Sequence, residues 1–267
     1  MVYADLHVHT DNSDGTMALD EVPAAARDAG VDAVAVTDHD RLHPDLDAPV
    51  TERGGVEVVH GIELRVECGD QRVDLLGYGV RRTDALEAEV ERIQRDRLER
   101  GRRIIQNVEA ALGVSLDLEP REGLGRPHVA RAVVGHPDTD YDELCAVFDD
   151  LIGDDQPCFV ARDVPSFADA VDLLADACGL VGLAHPLRYP NPEAALDRCR
   201  DLDAVERYYP YDRPVGGDPG EDGAALVDAA IDEYDLLPTG GSDAHERTLG
   251  KAGLEKAAYE RVRAALQ

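Results

Sequence analysis

His7 and His9 stand two positions apart in Asp5-Leu6-His7-Val8-His9-Thr10, and Ser13-Asp14-Gly15 follows at once. In a strand, residues two apart leave the same face. Both imidazoles can therefore reach one point, and the turn after them can deliver Asp14. Imidazole and carboxylate grouped in this way suit a divalent ion better than an apolar core. Four further fragments extend the pattern: Thr37-Asp38-His39-Asp40, Gly61-Ile62-Glu63, Ala184-His185-Pro186 and Gly241-Ser242-Asp243-Ala244-His245. A single histidine is usually a satisfied core or surface residue, so no fragment carries weight alone. Together with His128, which follows Pro127, they set His7, His9, His39, His185 and His245 at strand ends or beside turns, accompanied by Asp14, Glu63 and Asp243. So many mixed N/O ligands exceed the needs of one ion. They suffice for two or three, with Mn, Zn and Fe all suited to such donors. Sites of this kind activate water and clamp a transferring phosphoryl group. Competing motifs are missing: no G-x-S-x-G, no P-loop and no G-x-G-x-x-G after a strand occurs, and Asp11–Gly15 has the wrong spacing for a calcium loop.

Elements of two kinds must position these residues. Val2–His9, Val31–Thr37, Val56–Leu64, Val73–Val80, Leu180–Ala184, Val205–Tyr209 and the segment before Gly240 read as strands, several ending at a candidate ligand. Helical periodicity over Leu19–Ala29, stopped by Gly30, and over Ser166–Cys178 alternates with them. Ser166 is placed to cap the second of these, with Asp169 three residues on. Strand–helix alternation predicts a parallel sheet covered by helices. The pattern changes over residues 81–163, where one long charged helix (Leu86–Leu112), a piece after Pro127 and a piece over Tyr141–Ile152 predict a helical insertion. Residues 1–80 and 164–267 are then the α/β body, and a last helix is expected over Lys251–Leu266.

The chain has 267 residues and a formal net charge of −29. Its 56 acidic residues are spread between apolar segments, and lysine occurs only at 251 and 256. That distribution predicts a surface adapted to concentrated salt, as in a halophile, rather than an acidic tail. Nucleic-acid binding driven by counterion release is disfavoured by the sign of the charge. Five cysteines, Cys68, Cys145, Cys158, Cys178 and Cys199, form no C-x-x-C and read as small buried residues in a reducing compartment. No apolar run is long enough to span a membrane and the start lacks a signal-like region, so a cytoplasmic location is expected, with no membrane and no obligate protein partner.

The order and spacing of Asp5–Gly15, Thr37-Asp38-His39, Gly61-Ile62-Glu63, His185-Pro186 and Gly241–His245 resemble the PHP (polymerase and histidinol phosphatase) family of metal-dependent phosphoesterases. Arg126-Pro127-His128 and His185-Pro186-Leu187-Arg188-Tyr189 resemble the branch of stand-alone nucleotide phosphatases and short-oligonucleotide exonucleases. The resemblance implies a distorted seven-stranded (βα) TIM-like barrel with a trinuclear site. Carried over, it gives one ion to His7, His9, Glu63 and Asp243, and a second, bridged by Glu63, to His128 and His185. A third falls to Asp14, His39 and His245. Asp14, His39, Asp243 and His245 are the expected catalytic set, serving a metal-activated hydroxide that attacks phosphorus. Arg126 and Arg188 are expected to hold phosphate oxygens, one phosphate anchored while the metals act on its neighbour. Asp38 either ligates or orients His39, and Tyr208 and Tyr209 either line a base pocket or pack in the core. The expected reaction is hydrolysis of a terminal phosphomonoester on a small nucleotide, a 3′,5′-bisphosphate first. A 5′-to-3′ exonuclease on short oligonucleotides, a histidinol-phosphate phosphatase and a regulatory metal-binding domain stand as alternatives.

Overall fold

The computed structural model describes residues 1–121, 124–211 and 220–266. Eight strands form one sheet: β1 (Ala4–Val8), β2 (Ala33–Val36), β3 (Val50–Arg53), β4 (Val56–Cys68), β5 (Gln71–Tyr78), β6 (Leu180–Leu183), β7 (Ala204–Tyr208) and β8 (Leu237–Gly240). Seven of them follow the path β1-β2-β4-β5-β6-β7-β8, and β3 pairs with β4 beside that path. The chain divides into two compact units, Met1–Val90 with Val164–Gln267, and Glu91–Asp163.

In the first unit the sheet curls into a distorted half-barrel. Beyond β8, Ala244 returns to β1: His9 N–H donates to Ala244 O at 2.9 Å and Ala244 N–H to His7 O at 3.2 Å. The expectation of a parallel sheet needs correction. β1–β2, β2–β4, β6–β7 and β7–β8 are parallel, but β3–β4, β4–β5 and β5–β6 are antiparallel. The reason is local. Cys68 pairs with Gln71, so only Gly69-Asp70 joins β4 to β5, and Gly69 has φ +64°. A two-residue turn can only reverse the chain.

Two clusters make the core of this unit. Leu6, Val59, Leu76, Tyr78 and Leu180 fill one, closed by Tyr259 and Val262 of a terminal helix, Lys256–Ala265. Val34, Val36 and Val58 meet Val22, Ala25 and Ala26 of helix Val22–Ala29 in the other. Each fully buried Val or Leu contributes about 1.5–3 kcal/mol by leaving water. The terminal helix starts later than expected, because Leu254 pairs with Ala4 in extended form and Gly253 sits at φ +149°. Helix Phe167–Ala177 has the expected cap: Ser166 Oγ accepts from Asp169 N at 3.2 Å.

The second unit holds most of the 29-residue helix Asp84–Leu112, then helices Arg126–Val134 and Leu144–Val147, the last continuing as a wider turn to Ile152. Ile104, Val108, Val129, Val133, Val147 and Ile152 form its own core. Its first residue, Glu91, lies ten positions beyond the sequence-based boundary, because the first turns of the long helix cluster with the half-barrel. Four cysteines are buried as expected, but Cys145 is exposed. No described helix is long and apolar enough to cross a membrane.

Candidate metal centre

The ends of β1, β2, β6 and β8, with the middle of β4, bring the candidate ligands together in the first unit. His7, His9, Glu63 and Asp243 form one group of four, all buried. His9, Asp14, His39 and His245 form a second, and Glu63, Asp74 and His185 a third. His9 and Glu63 each belong to two groups, and within each group the ligand atoms lie within 4.8 Å of one another.

The contacts are close. His9 Nε2 lies 3.1 Å from Asp243 Oδ1 and 3.3 Å from Glu63 Oε2. His7 Nε2 is 3.2 Å from the same Glu63 oxygen, and His245 Nε2 is 3.3 Å from Asp14 Oδ1. His185 Nε2 reaches Glu63 Oε1 at 2.9 Å. Yet His7 Nε2, both ring nitrogens of His9, Glu63 Oε2 and Asp243 Oδ1 are buried and make no hydrogen bond. Buried polar atoms without partners are costly and rare. Several aimed at one another, with N and O donors mixed, are what a set of divalent ions requires.

The ionisation of the cluster follows from burial and from the acids packed among its imidazoles. Burial pushes the His9 imidazole down to about 4, so at neutral pH it is uncharged and offers one ring-nitrogen lone pair. Burial would lower His39 as well, but the Glu63 carboxylate outweighs it and lifts His39 to about 9. Burial would raise Glu63, yet the charges of His39 and His7 hold it well below the ordinary carboxylate range. Asp14 and Asp243 are likewise held low, against their burial, by neighbouring imidazoles. Backbone strain collects at the same place: His185 and Asp243 have φ of +26° and +50°. Such conformations persist in non-glycine residues only where the surroundings impose them.

A supporting layer was only partly foreseen. Glu206, fully buried on β7, accepts from His7 Nδ1 at 3.0 Å and from the His185 backbone N–H at 2.7 Å. It turns the other nitrogen of His7 toward the ligand group, the role carboxylates commonly play behind metal-binding histidines. Asp74 was also missed. It completes the third group while forming a two-pronged ion pair with Arg65, at 2.6 and 2.5 Å. An acid inside an apolar strand, as in Val73-Asp74-Leu75 and Val205-Glu206, is the sequence signal that was available for both. Asp38 is not a member of any ligand group among the described residues. Its carboxylate accepts from Thr10 N, Thr10 Oγ1 and Ser13 Oγ, each at 2.7 Å, and from Asn12 Nδ2 at 3.1 Å. It therefore shapes the turn that presents Asp14 instead of holding His39.

The two arginines are placed differently. Arg188 Nη1 donates to Tyr209 Oη at 2.7 Å and Asp243 Oδ2 at 3.0 Å, and Tyr209 Oη donates to that same oxygen at 2.7 Å. Asp243 thus spends Oδ2 on this pair and turns Oδ1 to the histidines. Tyr209 is part of the centre, whereas Tyr208 is among the most exposed large side chains, at 45%. Arg126 and His128 belong to the second unit. There Arg126 Nη1 donates to Asp154 Oδ1 at 2.7 Å, and His128 Nδ1 accepts from Gly125 N at 3.1 Å.

Residues 5–179 match the sequence profile of the family described as the PHP domain. Among curated proteins, the chain is 30% identical over 206 residues to a 3′,5′-nucleoside bisphosphate phosphatase of Chromobacterium violaceum, covering 74% of this chain and 72% of that one. It is 31% identical over 260 residues to a phosphoribosyl 1,2-cyclic phosphate 1,2-diphosphodiesterase of Eggerthella lenta, covering 90% and 93%. A solved structure from Bifidobacterium adolescentis superposes with a TM-score of 0.76 at 21% identity, covering 99% of this chain and 96% of the other, which is a likeness of fold.

Proposed function

Because the chain belongs to the PHP domain family, we propose that it is a metal-dependent phosphoesterase whose substrate is a small nucleotide carrying a 3′- and a 5′-phosphate. The observation that carries this reading is the set of buried, unbonded nitrogen and oxygen atoms converging from His7, His9, Glu63 and Asp243. These donors fit divalent ions. His7, His9, Glu63 and Asp243 would hold one, and Asp14, His39 and His245, with His9 adjoining, another. Glu63 and His185 would hold a third, completed by Asp74. When bound, such ions supply Lewis-acid activation of water and neutralise charge on phosphoryl oxygens.

The chain's own residues do the rest. Glu206 fixes the ring of His7 and the backbone of His185, so neither ligand has to reorganise. Arg188 sets a permanent positive charge beside Asp243, where oxygens of the reacting phosphate would lie. The sequence reading gave Arg188 to the neighbouring phosphate. Its bond to a ligand carboxylate favours the reacting one.

A second reading is favoured by one observation: the cyclic-phosphate diphosphodiesterase relative matches the larger share of both chains. The deciding experiment offers purified, Mn-loaded protein in molar KCl a nucleoside 3′,5′-bisphosphate, a phosphoribosyl 1,2-cyclic phosphate, a 5′-phosphorylated trinucleotide and histidinol phosphate. The bisphosphate should give the highest kcat/KM, with one phosphate released. Preference for the cyclic ester would replace this substrate by the second reading, and phosphate release from none of the four would sink both.

A further inference from the structure

Two cavities near the metal centre share two lining residues, Tyr209 and Lys251. The smaller, about 170 Å³, is lined by Asp243 and His245 of the ligand groups together with Tyr209, Ser242 and Lys251. The larger, about 440 Å³, is lined by Tyr208, Tyr209, Tyr211, Arg207 and Lys251. We infer that Lys251, the cation that lines both, anchors the phosphate that does not react. This rests on the phosphoesterase reading above and deepens it.

The backbone of Lys251 is held by the same network that shapes the ligand turn. Asp5, fully buried on β1, accepts from Ser242 N at 2.8 Å through Oδ1. Its Oδ2 accepts from Ser242 Oγ at 2.5 Å and from Gly250 N at 2.8 Å. Ser242 Oγ in turn accepts from Lys251 N at 2.9 Å. One carboxylate thus fixes the start of the Asp243 turn and the start of the lysine loop together. The backbone from which the lysine side chain departs is thereby held relative to the Asp243 turn.

The cations nearby are already committed. Arg207 is bound by Asp228 through two hydrogen bonds, at 2.5 and 2.9 Å, and Arg188 by Asp243. Lys251 forms no ion pair among the described residues, although acids outnumber bases 56 to 27 in this chain. The other lysine, Lys256, rests over the ring of Tyr3 at 5.6 Å. A compact ammonium on a flexible stem can reach an anion in either cavity. The substrate class that uses all these parts has an aromatic base for the tyrosines and two phosphates on one sugar. One phosphate would lie at Asp243 and His245, the other at Lys251.

The test uses Mn-loaded full-length protein carrying Lys251→Gln or Lys251→Arg, with adenosine 3′,5′-bisphosphate and p-nitrophenyl phosphate as substrates. Lys251→Gln should raise KM for the bisphosphate about tenfold, the loss of one charge-assisted hydrogen bond at a partly screened site. Its kcat, its KM for p-nitrophenyl phosphate and its metal content by elemental analysis should stay as in the wild type. Lys251→Arg should recover most of the lost affinity. An equal rise of KM on both substrates, loss of metal, or no rise at all would overturn the assignment. Wild-type hydrolysis of p-nitrophenyl phosphate without hydrolysis of the bisphosphate would instead defeat the substrate reading, and this inference with it.

Discussion

Glu63 contributes one oxygen to His185 and turns the other toward His7, His9 and His39. Its substitution should therefore be felt at more than one ion. Glu63→Gln keeps the shape but removes the charge, and elemental analysis should show at least two metal equivalents lost while circular dichroism stays native. Loss of a single equivalent with activity kept would show that the carboxylate is not shared. Glu206 hydrogen-bonds the ring of one candidate ligand, His7, and the backbone of another, His185. Glu206→Ala should weaken metal affinity about 10- to 100-fold, the usual cost of removing a carboxylate behind a ligating histidine. A metal titration unchanged from wild type would show that His7 needs no such support. Arg188→Ala should depress turnover of the bisphosphate and of p-nitrophenyl phosphate alike, because Arg188 stands at Asp243. An effect confined to the bisphosphate would return Arg188 to the second phosphate.

The elements present these residues through close approaches that few side chains permit. A Cβ on Gly241 would lie 2.3 Å from His7 N and His7 Cβ, so the turn after β8 can lie against β1 only because residue 241 has no side chain. Gly241→Ala should cost about 1–3 kcal/mol of stability, as forced overpacking usually does, and should lower metal content as well, since His7 must move. A urea midpoint equal to that of the wild type would contradict the contact. The half-barrel also shows which elements sequence patterns reveal. Strands that end at a histidine or carboxylate were legible from their apolar runs. β3 was not: Val50–Arg53 has one apolar residue followed by three polar ones, and its pairing with Val56–Val59 depends on a turn at Gly54-Gly55. The direction of β5 was misjudged because periodicity reports the faces of a strand, not its partner.

At the scale of the whole chain, charge dominates. A net −29 over 267 residues opposes compaction through self-repulsion, and salt relieves it. At about 1 M salt the screening length falls to ~3 Å, leaving only contact pairs. Melting temperature should rise by several degrees between dilute buffer and molar KCl, and matched sucrose should not reproduce the gain's ionic part. A melting point indifferent to KCl would contradict a salt-adapted surface. Exposed pairs such as Arg102 with Glu99 add little, since solvent screens them and ordering long side chains is costly.

The sequence by itself determined the family, the strand–helix order and most of the histidines and carboxylates that the half-barrel brings together. Histidine and carboxylate types are chemically distinctive, and their spacing follows the two-residue period of a strand and the turns at strand ends. It also announced the helical insertion, because helical periodicity is local. Only the tertiary structure decided that Asp74 and Glu206 stand at the centre, that Asp38 builds a turn, and that Arg188 and Tyr209 hold one oxygen of Asp243. Those roles join positions far apart in the chain, such as 7 with 206 and 5 with 242. They arise from which strand lies beside which and from where a backbone can come close, and no local pattern of residue types encodes either.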